Sequence, residues 1–302
     1  MKILTDFDYN PGLSLAFGFF DGVHLGHRCV IKNAVNFAVQ NKLKSAVVTF
    51  RESPKNFFSN TKNPQLVSIK TRLELIKKIG VDFVYLLDFD DQIASLTARE
   101  YLDQKIIKYF EPKAITTGFN HTLGMDCATS RFLTAIQKAY KFKYFEIPPI
   151  TWKNELVSTT EIKKRIVEGD FQKANNLLGY EFFVEGNVIP GNKIGRTMAF
   201  PTANIKHPEG IVDFPFGVYL AKTVVRGQVY NGVLNFGIKP TIDDTNRPLH
   251  EIHIFDFSDN IYGEKIKIIP IKQIRKEQKF DSIDDLKKQI IQDAIAAKSY
   301  FG

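Results

Sequence analysis

Thr202 and Asn204 stand two apart in Pro201-Thr202-Ala203-Asn204, shortly after Gly195-Arg196. On a strand, residues two apart face the same way, so these side chains can offer two oxygens to one hard cation. Further along, Glu251 is the lone carboxylate of the alternating stretch His250-Glu251-Ile252-His253. A carboxylate there can take a proton from a hydroxyl nearby. The set is a plan for magnesium-assisted phosphoryl transfer without a P-loop. The plainer readings are edge hydrogen bonding for Thr202 and Asn204 and a solvent-facing strand position for Glu251. His250 and His253 are weaker candidates, and His253 reads as a strand neighbour of Glu251.

A second constellation lies near the N-terminus, in Phe17-Gly18-Phe19-Phe20-Asp21-Gly22-Val23-His24-Leu25-Gly26-His27. It follows an apolar run, 13–17, that reads as a buried strand. It precedes a helical stripe made by Val30, Ile31, Ala34, Val35, Ala38 and Val39. Strand, glycine-rich turn and helix start together make an anion site, because backbone N–H groups and the helix dipole converge there. Gly18 and Gly22 let the backbone come close to phosphate. His24 and His27 are three apart, so both can reach one ligand and stabilise charge developing on phosphorus. A helix cap plus a surface residue is the plain alternative. A zinc site is the sharper one, but no nearby Cys or further His completes a ligand set.

The elements that must hold these residues follow from pattern. In the first half, strands at 45–50, 83–87, 114–118 and 144–147 alternate with helices at 71–79, 98–110 and 131–140. Such βα repeats predict a parallel sheet with helices on both faces and ligands outside the carboxyl ends of its strands. Two short helices, 161–168 and 171–178, end at Gly179. Beyond it come strands at 182–188, 217–225, 228–236, 251–257 and 265–271, then a helix at 284–300. That spacing predicts a small antiparallel barrel with a C-terminal helix. The division is placed near Gly179, giving 1–179 and 180–302.

The chain has 302 residues, 44% hydrophobic and 25% charged, with a net charge of +8. That length suits two domains of ordinary soluble composition. The positive balance fits attraction to nucleotide phosphates or simply a solvated basic surface. No basic run interleaved with aromatics argues for nucleic acid. Cys29 and Cys127 imply no disulfide framework; Cys29 reads as a buried helix residue and Cys127 as a loop residue. No signal-like or membrane-spanning run is seen, so a soluble cytoplasmic protein with no membrane partner is expected.

These motifs together resemble the prokaryotic bifunctional riboflavin kinase/FAD synthetase family over nearly the whole chain. Residues 20–27 look like the nucleotidyltransferase signature of its first module, and Val157-Ser158-Thr159-Thr160-Glu161-Ile162-Lys163 like the second. Pro201-Thr202-Ala203-Asn204 resembles the kinase metal and nucleotide motif. The segments 232–241 and 275–280 are similar to later kinase elements. The histidine motif alone indicates only a nucleotidyltransferase superfamily; the ordered kinase set is far more specific. The resemblance implies an α/β nucleotidyltransferase domain with a Rossmann-like parallel sheet, followed by a small antiparallel β-barrel riboflavin kinase domain. ATP, riboflavin and FMN are the implied substrates, Mg2+ the implied metal, and a weak homo-oligomer is compatible with it. It implies Glu251 as general base, with Thr202 and Asn204 as metal and phosphate ligands. It places nucleotide at Gly18, Phe19, Phe20, Asp21, Gly22, Ser158, Thr159 and Lys163, and at Lys193, Gly195 and Arg196. Flavin falls to Asn120, Arg275 and Glu277; for the last two a surface ion pair is the plain alternative.

The chain also departs from that family. Arg51-Glu52-Ser53-Pro54 stands where an acidic residue, Pro, His and Pro are usual. Gly118-Phe119-Asn120-His121-Thr122-Leu123-Gly124 lacks the usual Asp, aromatic and Arg. Lys163 replaces an Arg and so loses a planar bidentate fork. Ala199 replaces a Gly. The expectation is a bifunctional enzyme with a variant FMN site. Two alternatives stay open: a kinase whose first module is weak or takes another acceptor, and a non-catalytic module that senses nucleotide or flavin.

Overall fold

Apolar, β-branched runs in the first half become the middle of a parallel sheet. In this computed structural model, residues 1–59, 62–191, 200–238 and 248–302 are described. They form two compact units, Met1–Thr159 and Thr160–Gly302. The strands of the first unit are β1 (Lys2–Leu4), β2 (Ser14–Phe17), β3 (Ser45–Phe50), β4 (Phe83–Leu87), β5 (Ala114–Gly118) and β6 (Lys143–Ile147). Their order is β1-β4-β3-β2-β5-β6, with every pair parallel. Both faces of β2 are covered, which is why it reads as a continuous apolar run. Leu15 and Phe17 pack with Tyr101 and Phe110 on one face. Ala16 packs with Phe20, Val23, Val30 and Ile31 on the other. From β2 the chain order runs outward both ways, to β3 and to β5. The carboxyl end of β2 is therefore the switch point where such sheets bind ligands.

The helix after β2 spans Leu25–Gln40, with Val30, Ile31, Ala34 and Ala38 buried. Val39 breaks the expected stripe and is 73% exposed, because one step past Ala38 turns the side chain about 100° around the helix. Cys29 is half-buried rather than buried, and Cys127 is exposed. The helix expected at 98–110 is α-helical over Ala98–Tyr101 and Lys108–Phe110, with a π stretch, Leu102–Ile107, between. A small hairpin of β7 (Thr151–Trp152) and β8 (Glu155–Leu156) was not foreseen.

The second unit carries the helices Thr159–Val167 and Phe171–Leu178, the latter stopped by Gly179 at φ 75°. Its strands are β9 (Val184–Asn187), β10 (Ala203–Lys206), β11 (Gly217–Val225), β12 (Gln228–Gly237), β13 (Leu249–Ile254) and β14 (Lys265–Lys276). Their order is β10-β13-β12-β11-β14-β9, all antiparallel. The Ile189 N–H donates to Asn204 O at 2.8 Å, which draws the two outer strands together into a nearly closed barrel. Phe171 packs its ring against Phe182, Phe214 and Tyr219, so its helix belongs to the barrel core. The helix Ile283–Phe301 lays Ala294 and Ala297 against Leu220 and Phe255. Among the described residues no helix is long and apolar enough to cross a membrane.

Candidate active sites

In the first unit, β2 delivers the chain into a tight, buried loop. Phe20 is left-handed at φ 57°, and Asp21–Val23 form a 3-10 turn ending at His24. His24 is the N-cap of the Leu25–Gln40 helix, and its Nδ1 accepts the His27 N–H at 3.3 Å. The cap reading and the ligand reading thus fall on one residue. The cap also occupies the His27 amide, one of the N–H groups the helix start was expected to offer phosphate. The two imidazoles stack, with centroids 3.5 Å apart and planes inclined by 19°. With Nδ1 accepting, His24 is neutral and carries its proton on Nε2. His27 Nδ1 is buried without a partner.

Electrostatics keep both rings uncharged. Burial lowers the His24 pKa to about 4, against a backbone hydrogen bond that favours the charged form. Burial, then charge on His24, holds His27 well below the usual imidazole range, with Arg72 a smaller contribution; a hydrogen bond to the Asp21 backbone opposes them. A neutral ring has one N–H to give: that of His24 is free to meet a phosphate oxygen, while that of His27 goes to the Asp21 backbone carbonyl and must leave it to do the same. Gly26, between them, lets the backbone pass the His24 ring. A Cβ there would sit 3.2 Å from His24 Cε1 and 3.7 Å from Val157 O. The second signature therefore begins beside the first: Ser158 and Thr159, both half-buried, follow Val157 directly. Lys163 lies half-buried on the following helix.

Asp21 is buried and accepts the Leu66 N–H through both oxygens, at 2.9 and 3.1 Å. It therefore anchors the loop from beneath. Gly22 is buried, and Gly18 and Phe19 are half-buried. Asn120 is exposed beyond the end of β5. His121, in the same variant loop, stacks on Phe17 at 6.3 Å and leaves Nε2 buried without a partner. Burial lowers its pKa to about 4.

One residue of this site was absent from the sequence reading. Arg72, on the helix Ile69–Lys77, is fully buried. It donates to Phe19 O at 2.9 Å, Phe50 O at 2.8 Å and Arg51 O at 3.1 Å, and lies 4.3 Å over the Phe19 ring. An Arg in an amphipathic helix ordinarily faces water; the only hint was its place at the apolar face, four residues before the buried Ile76.

The second unit brings its three predicted residues together. Asn204 on β10 pairs directly with Glu251 on β13. Thr202, just before β10, donates from Oγ1 to Glu251 Oε1 at 2.8 Å. Asn204 is buried, and among the described residues its Oδ1 has no hydrogen-bond partner. Such an acceptor is costly unless something occupies it. His253 shares Glu251's face, bonds Pro201 O through Nδ1 at 2.8 Å and meets the Phe200 ring edge-on at 5.1 Å. It buttresses the Pro201–Asn204 segment. His250 points the other way, fully buried and stacked on Phe236 at 4.3 Å, which removes it from the candidates.

Arg275 is committed to the C-terminal helix: Nε bonds both Asp293 oxygens at 3.1 Å, and Nη2 bonds Oδ2 at 2.8 Å. Asp293 is buried, so this is a packed ion pair rather than a surface one. Glu277 lies with its carboxylate against Gly237, where any Cβ would overlap it. Burial raises its pKa, with Arg275 opposing. Lys193, Gly195, Arg196, Ala199 and residues 239–241 lie outside the described residues.

A family model described as FAD synthetase matches residues 7–161, and one described as riboflavin kinase matches 178–301. The Bacillus subtilis (strain 168) bifunctional riboflavin kinase/FMN adenylyltransferase is 36% identical over 291 residues, 95% of this chain and 92% of that one. The chain belongs to this bifunctional family. The Haemophilus influenzae member is 35% identical over 293 residues, covering 96% of this chain and 94% of its own. The crystal structure of a Streptococcus pneumoniae protein, described as a macrolide-efflux protein, has a TM-score of 0.85 at 31% identity and covers 97% of each chain. Within the bifunctional family frame, His24, His27 and Arg72 fall in the FAD synthetase match, and Thr202, Asn204 and Glu251 in the riboflavin kinase match.

Proposed function

We infer that this chain phosphorylates riboflavin with ATP to give FMN in its second unit and adenylylates FMN with a further ATP to give FAD in its first. The reading rests on one observation above others: Thr202, Asn204 and Glu251 converge on one face of β10 and β13. Glu251 accepts the proton of the ribityl hydroxyl as its oxygen bonds to the γ-phosphorus and ADP leaves. Thr202, by its hydrogen bond, fixes where that carboxylate points. Mg2+ fits the donor set, because the Asn204 Oδ1 is a buried oxygen without a partner among the described residues, beside a hydroxyl and a carboxylate. When bound, it would be held by Asn204 and Thr202 and would neutralise phosphate charge. Lys193, Gly195 and Arg196 are assigned to nucleotide on motif grounds alone.

In the first unit, His24 donates its N–H to a phosphate oxygen at the switch point of the sheet, and His27 joins it when its own N–H leaves the Asp21 carbonyl. Gly18, Phe19, Phe20, Asp21 and Gly22 shape that cradle, and Ser158 and Thr159 border it; Lys163 is assigned to nucleotide on motif grounds alone. Asn120 contacts flavin in the first unit, and Glu277 and Arg275, the latter tied to Asp293, frame it in the kinase. The FAD synthetase match over this unit favours a catalytic module over a sensing one. We place the module boundary near Gly179, where the riboflavin kinase match begins. We further propose a cytoplasmic enzyme that works on small molecules, engages neither nucleic acid nor membrane, and associates weakly with itself. The test is chromatography of products from riboflavin, ATP and Mg2+. FMN appearing first and FAD later supports the reading; no FMN overturns the kinase, and FMN without FAD overturns the second activity.

A further inference from the structure

We infer that Arg72 is a positioning residue for adenylyl transfer, holding in register the two loops that flank the nucleotide cradle. This rests on the FAD-forming reading of the first unit. One loop is the signature turn after β2; the other is the variant Arg51–Pro54 segment after β3. They come from neighbouring strands, and both leave the sheet at its carboxyl edge. Arg72 joins them through a single planar group. Nη1 takes Phe19 O, while Nη2 takes Phe50 O and Arg51 O, so one guanidinium fixes three carbonyls from two loops. Phe19 O also accepts the Thr49 hydroxyl at 3.0 Å. The signature loop is thus tied to β3 at one carbonyl from two directions.

The arrangement is built for a charge. Carbonyl oxygens gather around a cation, and the Phe19 ring presents its face to the same guanidinium. Among the described residues Arg72 makes no salt bridge; buried Asp21 balances it through space. Burial lowers the Arg72 pKa only to about 10, so it stays charged. A positive charge therefore lies beneath the loop proposed to receive phosphates, and it is not spent on a contacting carboxylate. Lys cannot replace it fully, because an ammonium lacks the rigid fork that spans three separated acceptors.

The experiment uses the full chain as Arg72→Lys and Arg72→Met. Two quantities are read: steady-state FAD formation from FMN and ATP, and hydrogen exchange of backbone amides. FAD formation should fall about 10- to 100-fold in kcat for Lys, and further for Met, because small misplacement of reacting groups is costly to rate. Riboflavin phosphorylation should stay within twofold, since the kinase residues lie in the other unit. Exchange should rise at residues 18–27 and 50–54 while the β4 and β5 amides keep their protection. General loss of packing would instead raise exchange across the sheet and the Ile69–Lys77 helix together. Unchanged loop exchange in both variants, or exchange raised evenly through the first unit, would overturn the inference. So would FAD formation within threefold of the parent. If the parent chain itself forms no FAD, the functional reading fails, and loop exchange alone then decides whether Arg72 holds the two loops. If Arg72→Met does not fold, Arg72→Lys carries both measurements.

Discussion

Thr202 Oγ1 donates to Glu251 Oε1 at 2.8 Å, across two strands that pair Asn204 with Glu251. A hydroxyl donated to a carboxylate fixes its rotamer. The proposed kinase chemistry turns on that contact.

Glu251→Gln should lower FMN formation by about 10²–10⁴-fold, the usual range for removing a general base. FAD formation from supplied FMN should persist. Both half-reactions are read by product chromatography on one preparation. FMN formation within threefold of the parent would remove Glu251 from the mechanism.

Asn204→Ala and Thr202→Ala should each raise the Mg2+ concentration needed for half-maximal FMN formation. Asn204 loses a ligand oxygen outright; Thr202 also releases Glu251. The Mg2+ dependence of FAD formation should not move, because the two sites lie in separate units. A metal titration of both activities decides it, and an unmoved kinase curve in both variants counts against the ligand roles.

Acid should destabilise the fold through its buried histidines. His207 Nε2 lies 3.2 Å from Ile211 O, which can only accept; His207 Nδ1 therefore accepts from His250 Nε2 at 2.8 Å. His250 Nδ1 is left buried without a partner. Burial lowers the pKa of both; the Ile211 carbonyl and Asp213 oppose it at His207, while His207's charge adds to it at His250. His24 and His27 are lowered as well. A depressed pKa in the fold means the unfolded chain binds protons first. The stability is complete above the unfolded value near 6.5 and is lost as pH falls toward 4, by at most about 1.4 kcal/mol per group per pH unit. Urea midpoints at pH 7 and pH 5 should differ, and His207→Leu with His250→Leu should narrow the gap. Equal midpoints for the parent chain would contradict the account.

His121→Phe should stabilise the first unit by about 1 kcal/mol, because it removes a buried nitrogen without a partner while keeping a ring on Phe17. Adding Asn120→Asp and Thr122→Arg should raise FAD formation at low FMN, through better placement of the acceptor. Thermal melts read the first effect and an FMN titration at saturating ATP reads the second. A triple variant no better than the parent at any FMN concentration would show that this loop does not limit acceptor use.

Asp293→Ala should destabilise the second unit by about 2–3 kcal/mol. Breaking a buried pair strands its partner, and Arg275 is only partly able to reach water. Chemical denaturation measures this. A loss under about 0.5 kcal/mol, the size of a surface pair, would mark the pair as exposed in effect.

Much of this protein is written in local pattern. The runs that became β3, β4 and β5 are legible because strands covered on both faces must be apolar throughout, and the βα alternation dictates parallel order. The turn at Gly18–His27 is legible because a strand, glycines and a helix start each need particular residue types within a few positions. The alternation in His250–His253 says that Glu251 and His250 face opposite ways, but not which one faces the core. That choice was made by β10: Asn204 lies opposite Glu251, while Ile205 and His207 turn inward with His250. Register between strands nearly fifty residues apart in the chain is set by packing of the whole barrel, not by either segment. Arg72 is the sharper case. Its charge reads as solvent-facing, and only the closure of two loops that turn three carbonyls toward it makes burying it favourable. Local sequence can specify what a residue prefers; which acceptors surround it is a property of chain segments far apart, brought together only in the folded molecule.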